Sequence, residues 1–216
     1  MEATLKQWAF YPGWAMDPAA FVPLARRLGG KSWFFDRGYT GNPSTPAPET
    51  GRWNIVTHSM GLWHVPFDLL VSCESIFILG GFDVFIPEHS RGKKMVSRYI
   101  NNLRRGLVGS PQKTLGQFHQ LCGLPPEFCP APGSWDIPLL TADLARLETE
   151  HWDGHRFLKD PVLFHGDQDQ VVLNSQGSKL GEKLGCSVKW LPQTGHGCKI
   201  DQPDELTDLM QQAQTR

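Results

Sequence analysis

The apolar residues of this chain follow two alternating rhythms. Short continuous runs rich in aromatic and β-branched residues read as buried β-strands: Leu5 to Tyr11, Ser32 to Phe35, Trp53 to Val56, Ser75 to Leu79, Pro161 to Phe164 and Ser187 to Leu191. Between most of them lie segments with apolar residues three and four positions apart, the spacing of helices packed by one face. Asp17 before Pro18 supplies an N-cap and a first helical residue for a helix through Leu28, with Ala20, Phe21, Leu24 and Leu28 on its inner side. Leu62 to Val71 reads as a helix with Pro66 near its first turns, and Asn174 caps a helix through Leu184. A closing helix runs from Pro203 to Gln212, started by Asp201 or Gln202. Strands that are apolar throughout and alternate with helices predict an α/β architecture, a mostly parallel sheet covered on both faces.

The alternation stops between Pro87 and Trp152. Here there is no strand pattern, only helical runs at Lys93 to Leu107, Leu115 to Cys122 and Leu139 to Leu147, with a proline-rich break at Pro125, Pro126, Pro130 and Pro132. The apolar residues of an amphipathic insertion need something to cover. Residues 87–152 are therefore expected to form a helical cap, or lid, on a core built from residues 1–86 and 153–216, all within a single domain. Asn42 to Gly51, also rich in proline, reads as an irregular surface connection.

Three strand ends carry the candidate chemistry. The run Trp53-Asn54-Ile55-Val56-Thr57-His58-Ser59-Met60-Gly61 passes from strand into an apolar helix at Ser59, the shape of a nucleophile elbow. A serine hydroxyl is a weak nucleophile, so it must stand where a base can reach it and where a backbone N–H can hold the developing oxyanion. Thr57 occupies the first glycine position of the G-x-S-x-G pattern, and Gly61 the second. Asp169 follows the strand ending near Phe164, and His196 follows the last strand in Thr194-Gly195-His196-Gly197. Open α/β sheets present their functional loops at such C-terminal strand ends. His196 is then the candidate general base for Ser59, and an aspartate would orient the imidazole, with Asp167 and Asp169 competing for that place. The oxyanion donors are assigned to the N–H of Met60, after the nucleophile, and of Trp14, behind Gly13.

Composition narrows the partners. Of 216 residues, 40% are hydrophobic and 20% charged, with a net charge of −1, values of a soluble globular protein without global affinity for nucleic acid or an anionic membrane. A local patch remains: Arg91, Lys93, Lys94, Arg98, Arg104, Arg105 and Lys113 lie in a stretch, His89 to Pro126, that holds no acidic residue. Phe118, Leu121 and Trp135 of the expected cap, together with Trp14, are candidate lining for an apolar substrate pocket. The five cysteines form no CxxC pair, and neither a signal peptide nor a span of ~20 apolar residues is present, so a reduced, cytoplasmic protein is expected. His151 and His155 have a metal-compatible spacing, but no third ligand is evident and Gly154 disfavours a helix, so neither a metal nor a cofactor is expected. His58, beside the nucleophile, reads as a packing residue or one that supports the catalytic groups, not as a second base. A monomer is the expected state.

The chain order Ser59, Asp169, His196 is that of the α/β-hydrolases, and the sequence resembles that superfamily over nearly its whole length. Within it the chain resembles the pimeloyl-[acyl-carrier-protein] methyl ester carboxylesterases of biotin synthesis. The likeness rests on Pro12-Gly13-Trp14-Ala15-Met16 against an H-G-W-G-x loop, Ser59-Met60-Gly61 at the elbow, the helix closing on Leu115 to Gly123, and Leu139 to Leu144. Pro12 replaces the loop histidine, Thr57 the elbow glycine, and the resemblance implies a shortened core of about six strands that lacks the two preceding strands of the family. The family pattern H-G-x-x-D places the acid at Asp169. The implied activity is that of a serine esterase releasing methanol from a pimeloyl methyl ester borne on acyl-carrier protein. That partner is acidic, so the basic stretch is a candidate docking face. Three other readings remain open at this point: a type II thioesterase or general short-chain carboxylesterase, a lyase of menaquinone synthesis, and a non-catalytic binding module of the same fold.

Overall fold

The structure, a computed structural model, describes residues 6–41, 43–45, 52–88, 90–129, 133, 135–154 and 160–214, the side chains of Ser90, Arg91 and Glu127 excepted. Leu5, most of the connection at 42–51, Pro130, Pro132 and His155 lie outside the described residues. Six strands, β1 (Gln7–Tyr11), β2 (Lys31–Phe34), β3 (Trp53–His58), β4 (Ser75–Leu79), β5 (Val162–Gly166) and β6 (Val188–Leu191), form one sheet in the order β2-β1-β3-β4-β5-β6. Every neighbouring pair is parallel. Parallel neighbours require crossovers, and four of the helices are α1 (Val22–Leu28), α2 (Phe67–Ser72), α6 (Asn174–Leu184) and α7 (Pro203–Gln214).

The period of two along each strand divides the core. Trp8, Phe10, Val56, Phe77 and Leu79 join Leu24 of α1 and Leu206 and Met210 of α7 on one face. Ala9, Tyr11, Ile55, Ile76 and Ile78 join Leu69 and Leu70 of α2 and Leu180 of α6 on the other. The chain leaves β1 for β2 on one side and returns to β3 on the other. The C-terminal ends of β1 and β3 thus flank a topological switch point, where open α/β sheets bind ligands.

Between β4 and β5 lie three inserted helices, α3 (Ser90–Gly109), α4 (Pro111–Leu121) and α5 (Ile137–Thr149). Val96, Ile100, Leu103 and Leu107 form the buried stripe of α3 and belong to the same apolar cluster as the α1 side of the sheet. An ionic anchor fixes α5 to the loop after β2. The Asp143 carboxylate, fully buried, accepts from Arg37 Nε at 2.8 Å, Arg37 Nη2 at 2.9 Å and Tyr39 Oη at 2.8 Å. Burial alone would raise the Asp143 pKa, but the hydrogen bonds from Arg37 and Tyr39 and the Arg37 charge hold it below its usual value.

Two helical expectations are corrected. The segment after Ser59 is a 3₁₀ turn, Ser59–His64, and α2 is a separate helix beginning at Phe67. Pro66 forces Val65 into extended backbone at φ −69° and ψ 122°, which ends the turn where a continuous helix was predicted. Likewise Pro18–Phe21 is a 3₁₀ turn, with Asp17 accepting the Ala19 N–H at 2.8 Å, and α1 proper starts at Val22.

Candidate active site

The elbow is built from strand inward. β3 is buried along its length and delivers Ser59 at its C-terminal end with φ +54°, a left-handed conformation that a non-glycine residue holds only when its surroundings impose it. Gly61 is obligatory at this turn: a Cβ there would lie 2.0 Å from the Tyr11 carbonyl oxygen. Thr57, in contrast, is a regular buried strand residue paired with Tyr11 and Ile78, which is why the first glycine of the pattern is dispensable in this chain.

The three strand-end residues meet. Ser59 Oγ stands 2.9 Å from His196 Nε2, and His196 Nδ1 stands 2.7 Å from Asp169 Oδ2. With Nδ1–H donating to the carboxylate, Nε2 is left as the acceptor for the serine hydroxyl. The other oxygen of Asp169 accepts the backbone N–H groups of Val171 at 2.8 Å and Val172 at 2.9 Å. Burial pushes the Asp169 pKa up, but the adjacent His196, His165 and the Val172 N–H together bring it below the ordinary value. Asp167 is placed elsewhere. Its side chain is exposed and accepts the Thr194 N–H at 3.2 Å, so it braces the loop carrying His196 and leaves the imidazole to Asp169.

Three further histidines surround this chain of bonds, and each donates to a backbone carbonyl. His58 Nε2 reaches His196 O at 2.9 Å, His119 Nε2 reaches Ala15 O at 2.7 Å, and His165 Nε2 reaches Val172 O at 3.2 Å. Burial lowers all three; in His58 the neighbouring His196 adds to it and the pKa falls to about 3. His58 is neutral at physiological pH and clamps the His196 backbone.

A small, mostly apolar cavity of about 20 Å³ opens at Ser59, lined among others by Trp14, Met60, Phe82, Tyr99, Phe118 and Leu147. Trp14 and Met60 line this cavity beside the nucleophile, and the Gly13 backbone presses on Ser59, since a Cβ at Gly13 would lie 2.9 Å from the serine Cβ. Phe118 packs edge-on against Trp14. Two lining assignments are corrected. Leu121 lies on a separate polar groove of about 320 Å³ with Gln168 and Gln193, because α4 turns only one side toward Ser59. Trp135 packs on the core with its ring perpendicular to that of His119 and does not line the cavity.

The basic stretch is sorted by its partners. Lys93, Lys94, Arg98, Arg105 and Lys113 are exposed. Lys94, Arg98 and Arg105 follow one line along α3, opposite its buried stripe. Arg105 keeps its guanidinium on the helix surface through Asn101 O and Asn102 Oδ1. Arg104 is half-buried and paired with Glu148 of α5, so its charge is spent inside the protein and it leaves the expected docking set. The Arg91 side chain lies outside the described residues. Among the described residues no helix is long and apolar enough to cross a membrane.

No family model and no curated protein matches the chain. Solved structures do. A bromoperoxidase from Bacillus anthracis superposes with a TM-score of 0.73 at 17% identity, over 99% of this chain and 93% of that one. A carboxylesterase of Nitrososphaera gargenis gives 0.72 at 15% identity, over 97% and 90%. The enol-lactonase from Burkholderia xenovorans LB400 gives 0.65 at 13% identity, over 99% and 93%. Identities this low establish architecture alone, and with the sheet order and inserted helices described above they establish that this chain has the α/β-hydrolase fold.

Proposed function

We propose that this chain is a serine carboxylesterase that hydrolyses the methyl ester of a pimeloyl chain carried on acyl-carrier protein, a step of biotin-precursor synthesis. One observation carries the hydrolase part of the reading: Ser59 Oγ, the His196 imidazole and the Asp169 carboxylate in hydrogen-bond sequence at the switch point of the sheet. In the proposed reaction Ser59 Oγ attacks the ester carbonyl as His196 Nε2 takes its proton. The N–H groups of Met60 and Trp14 hold the oxyanion. The carbonyl–methoxy bond then breaks, His196 returns the proton to the leaving oxygen, and methanol departs. Water, deprotonated by His196, attacks the acyl-serine and frees Ser59 and the carboxylic acid. The methyl-ester and carrier parts of the reading are supported by the sequence resemblance, by the apolar residues at Ser59 and by the exposed cations of α3.

The cavity of about 20 Å³ favours a second reading, an esterase for small free esters, unless α3, α4 and α5 move apart to admit a longer chain. Two assays separate these. Turnover of p-nitrophenyl esters should fall roughly 10⁵- to 10⁶-fold in Ser59→Ala, and retained turnover refutes the mechanism. Rescue of a biotin-requiring strain lacking its own methyl esterase tests the substrate. Ester turnover without rescue leaves the small-ester reading.

A further inference from the structure

The loop after β1, which carries Gly13, Trp14 and Ala15, is held by two of the inserted helices. Ala15 takes φ +57°, a left-handed conformation that a residue with a Cβ keeps only when its neighbours enforce it. The enforcing contact comes from α4, 104 residues further along the chain: His119, 2% exposed, places Nε2 2.7 Å from the Ala15 carbonyl oxygen. A carbonyl only accepts, so Nε2 carries the proton of the neutral ring. The other nitrogen, Nδ1, is buried and finds no partner among the described residues. The imidazole therefore bears the cost of one unsatisfied atom and directs its hydrogen bond to Ala15. The same end of α4 grips a second loop. The Cys122 carbonyl accepts the Gly197 N–H at 2.6 Å, and Gly197 follows the general base His196. One turn of chain thus ties the loop after β1 to the loop after β6, and both border Ser59.

We propose that His119 is a positioning residue for ester hydrolysis: through the Ala15 carbonyl it fixes the backbone of Gly13, Trp14 and Ala15 against Ser59, so that the Trp14 N–H meets the oxyanion only while α4 is seated. This rests on the esterase reading above and gives the insertion a part in the chemistry besides covering the site. The mechanical path is short. A single peptide unit lies between the Ala15 carbonyl and the Trp14 N–H, and the Gly13 backbone already touches Ser59. The Trp14 side chain is held by the same insertion, its ring edge-on to Phe118 with centroids 4.8 Å apart and its Nε1 donating to the Leu140 carbonyl at 3.0 Å. Because α4 also holds Gly197, the frame it imposes on the oxyanion loop is the frame of His196.

The test compares His119→Leu, which cannot donate, with His119→Gln, whose side-chain amide can donate to the Ala15 carbonyl in place of the ring. Turnover of p-nitrophenyl acetate is measured well below each variant's melting temperature. His119→Leu should lower kcat roughly 10- to 100-fold with KM held within about twofold, because a misplaced oxyanion donor is felt in the transition state and not in the bound ester. His119→Gln should recover most of that loss. Phosphonylation of Ser59 by a fluorophosphonate, followed by mass spectrometry, should slow in the same order, since its phosphoryl oxygen takes the oxyanion's place. Should His119→Leu not fold, His119→Asn, one carbon shorter than Gln, replaces it in the comparison. Equal kcat per folded molecule across these variants, with only the melting temperature lowered, assigns His119 to the fold and overturns the proposal. A raised KM with kcat unchanged overturns it as well. If wild type hydrolyses no ester yet Ser59 is labelled, the esterase reading fails and the labelling rates alone decide on His119. A Ser59 that neither turns over ester nor labels in wild type overturns both.

Discussion

The loops at Ser59 and the outer face of α3 are held in opposite ways. Around Ser59 most groups are fixed more than once: the Asp169 carboxylate by His196 and two backbone N–H groups, His196 by Asp169 on its ring and by His58 on its carbonyl. Even the turn is locked by the Gly61 contact with Tyr11. On α3, Lys94 and Arg98 stand exposed, and Met95 is 54% and Val108 82% exposed on a helix whose other side is core. The contrast divides labour physically. Bond-making geometry needs sub-ångström positioning, whereas encounter with a charged partner needs only a field. Predictions follow from which side of that division a change touches.

The largest effect is expected where positioning is tightest. Asp169→Asn keeps the shape but presents an amide that can donate to Nδ1, leaving Nε2 protonated and unable to accept from Ser59. Turnover should drop by up to ~10⁴ with the melting temperature little changed. Asp167→Asn, acting only through the Thr194 N–H, should cost far less. A reversal of that order, measured as kcat on one ester, would move the acid's role to Asp167.

Next in size is the anchor between the loop after β2 and the inserted helix α5. Arg37→Ala removes the bidentate partner of a fully buried carboxylate, leaving Asp143 with Tyr39 and the 3.3 Å contact from Arg146. Breaking such a pair costs about 3 kcal/mol or more, because the charge left behind stays buried. Chemical denaturation should register that loss. If the inserted helices are held mainly by apolar packing, the loss will be under 1 kcal/mol.

How much of this was legible from the chain follows the same line. The strands, their order of appearance and the three strand-end residues were readable because period and turn chemistry are local. Pro66 could have been read more strictly, since the residue before a proline leaves the helical region. The Arg37–Asp143 pair joins residues 106 apart, and no spacing rule links an arginine after one strand to an aspartate inside a distant helix. Helical period placed Phe118 and Leu121 alike in the cap's apolar set, but only the packing of α4 decides which one turns toward Ser59.

Acid should strike the catalytic end before the outer face. His58, at about 3, and His64, lowered chiefly by burial to about 4, refuse protons that the unfolded chain takes up near 6.5. His119 and His165 are lowered in the same direction. The stability tied to these neutral rings is therefore complete above pH ~6.5 and declines as pH falls toward their folded values. For His58 alone the loss at pH 5 is about 2 kcal/mol, roughly 4–8 °C in melting temperature. Asp143 and Asp169, both held below the usual carboxylate value, add their losses only below pH ~4. Melting curves from pH 7 to pH 4 give the slope. His58→Gln, whose amide can still donate to the His196 carbonyl, should flatten it, and an unchanged slope would mean that His58 does not carry the effect.

The smallest expected effect is the most specific to the outer face. If α3 meets an acidic carrier protein, Arg98→Glu with Arg105→Glu should raise KM for a carrier-bound ester several-fold relative to a small free ester, because the changed charges act on encounter and rim contacts while Ser59 and His196 do the chemistry. Arg104 supplies an internal control. Its guanidinium is already taken by Glu148, so Arg104→Gln should show in the melting temperature more than in KM for the carrier-bound ester. Salt should separate the substrates in the same way. The Debye length shrinks from ~10 Å at 0.1 M to ~3 Å at 1 M, which weakens attraction to exposed cations but leaves the buried hydrogen bonds at Ser59 almost untouched. Carrier-bound turnover should therefore fall with salt while free-ester turnover holds. Equal responses of the two substrates, to the reversals and to salt alike, would make the α3 stripe a solvated face and the small free ester the better substrate assignment.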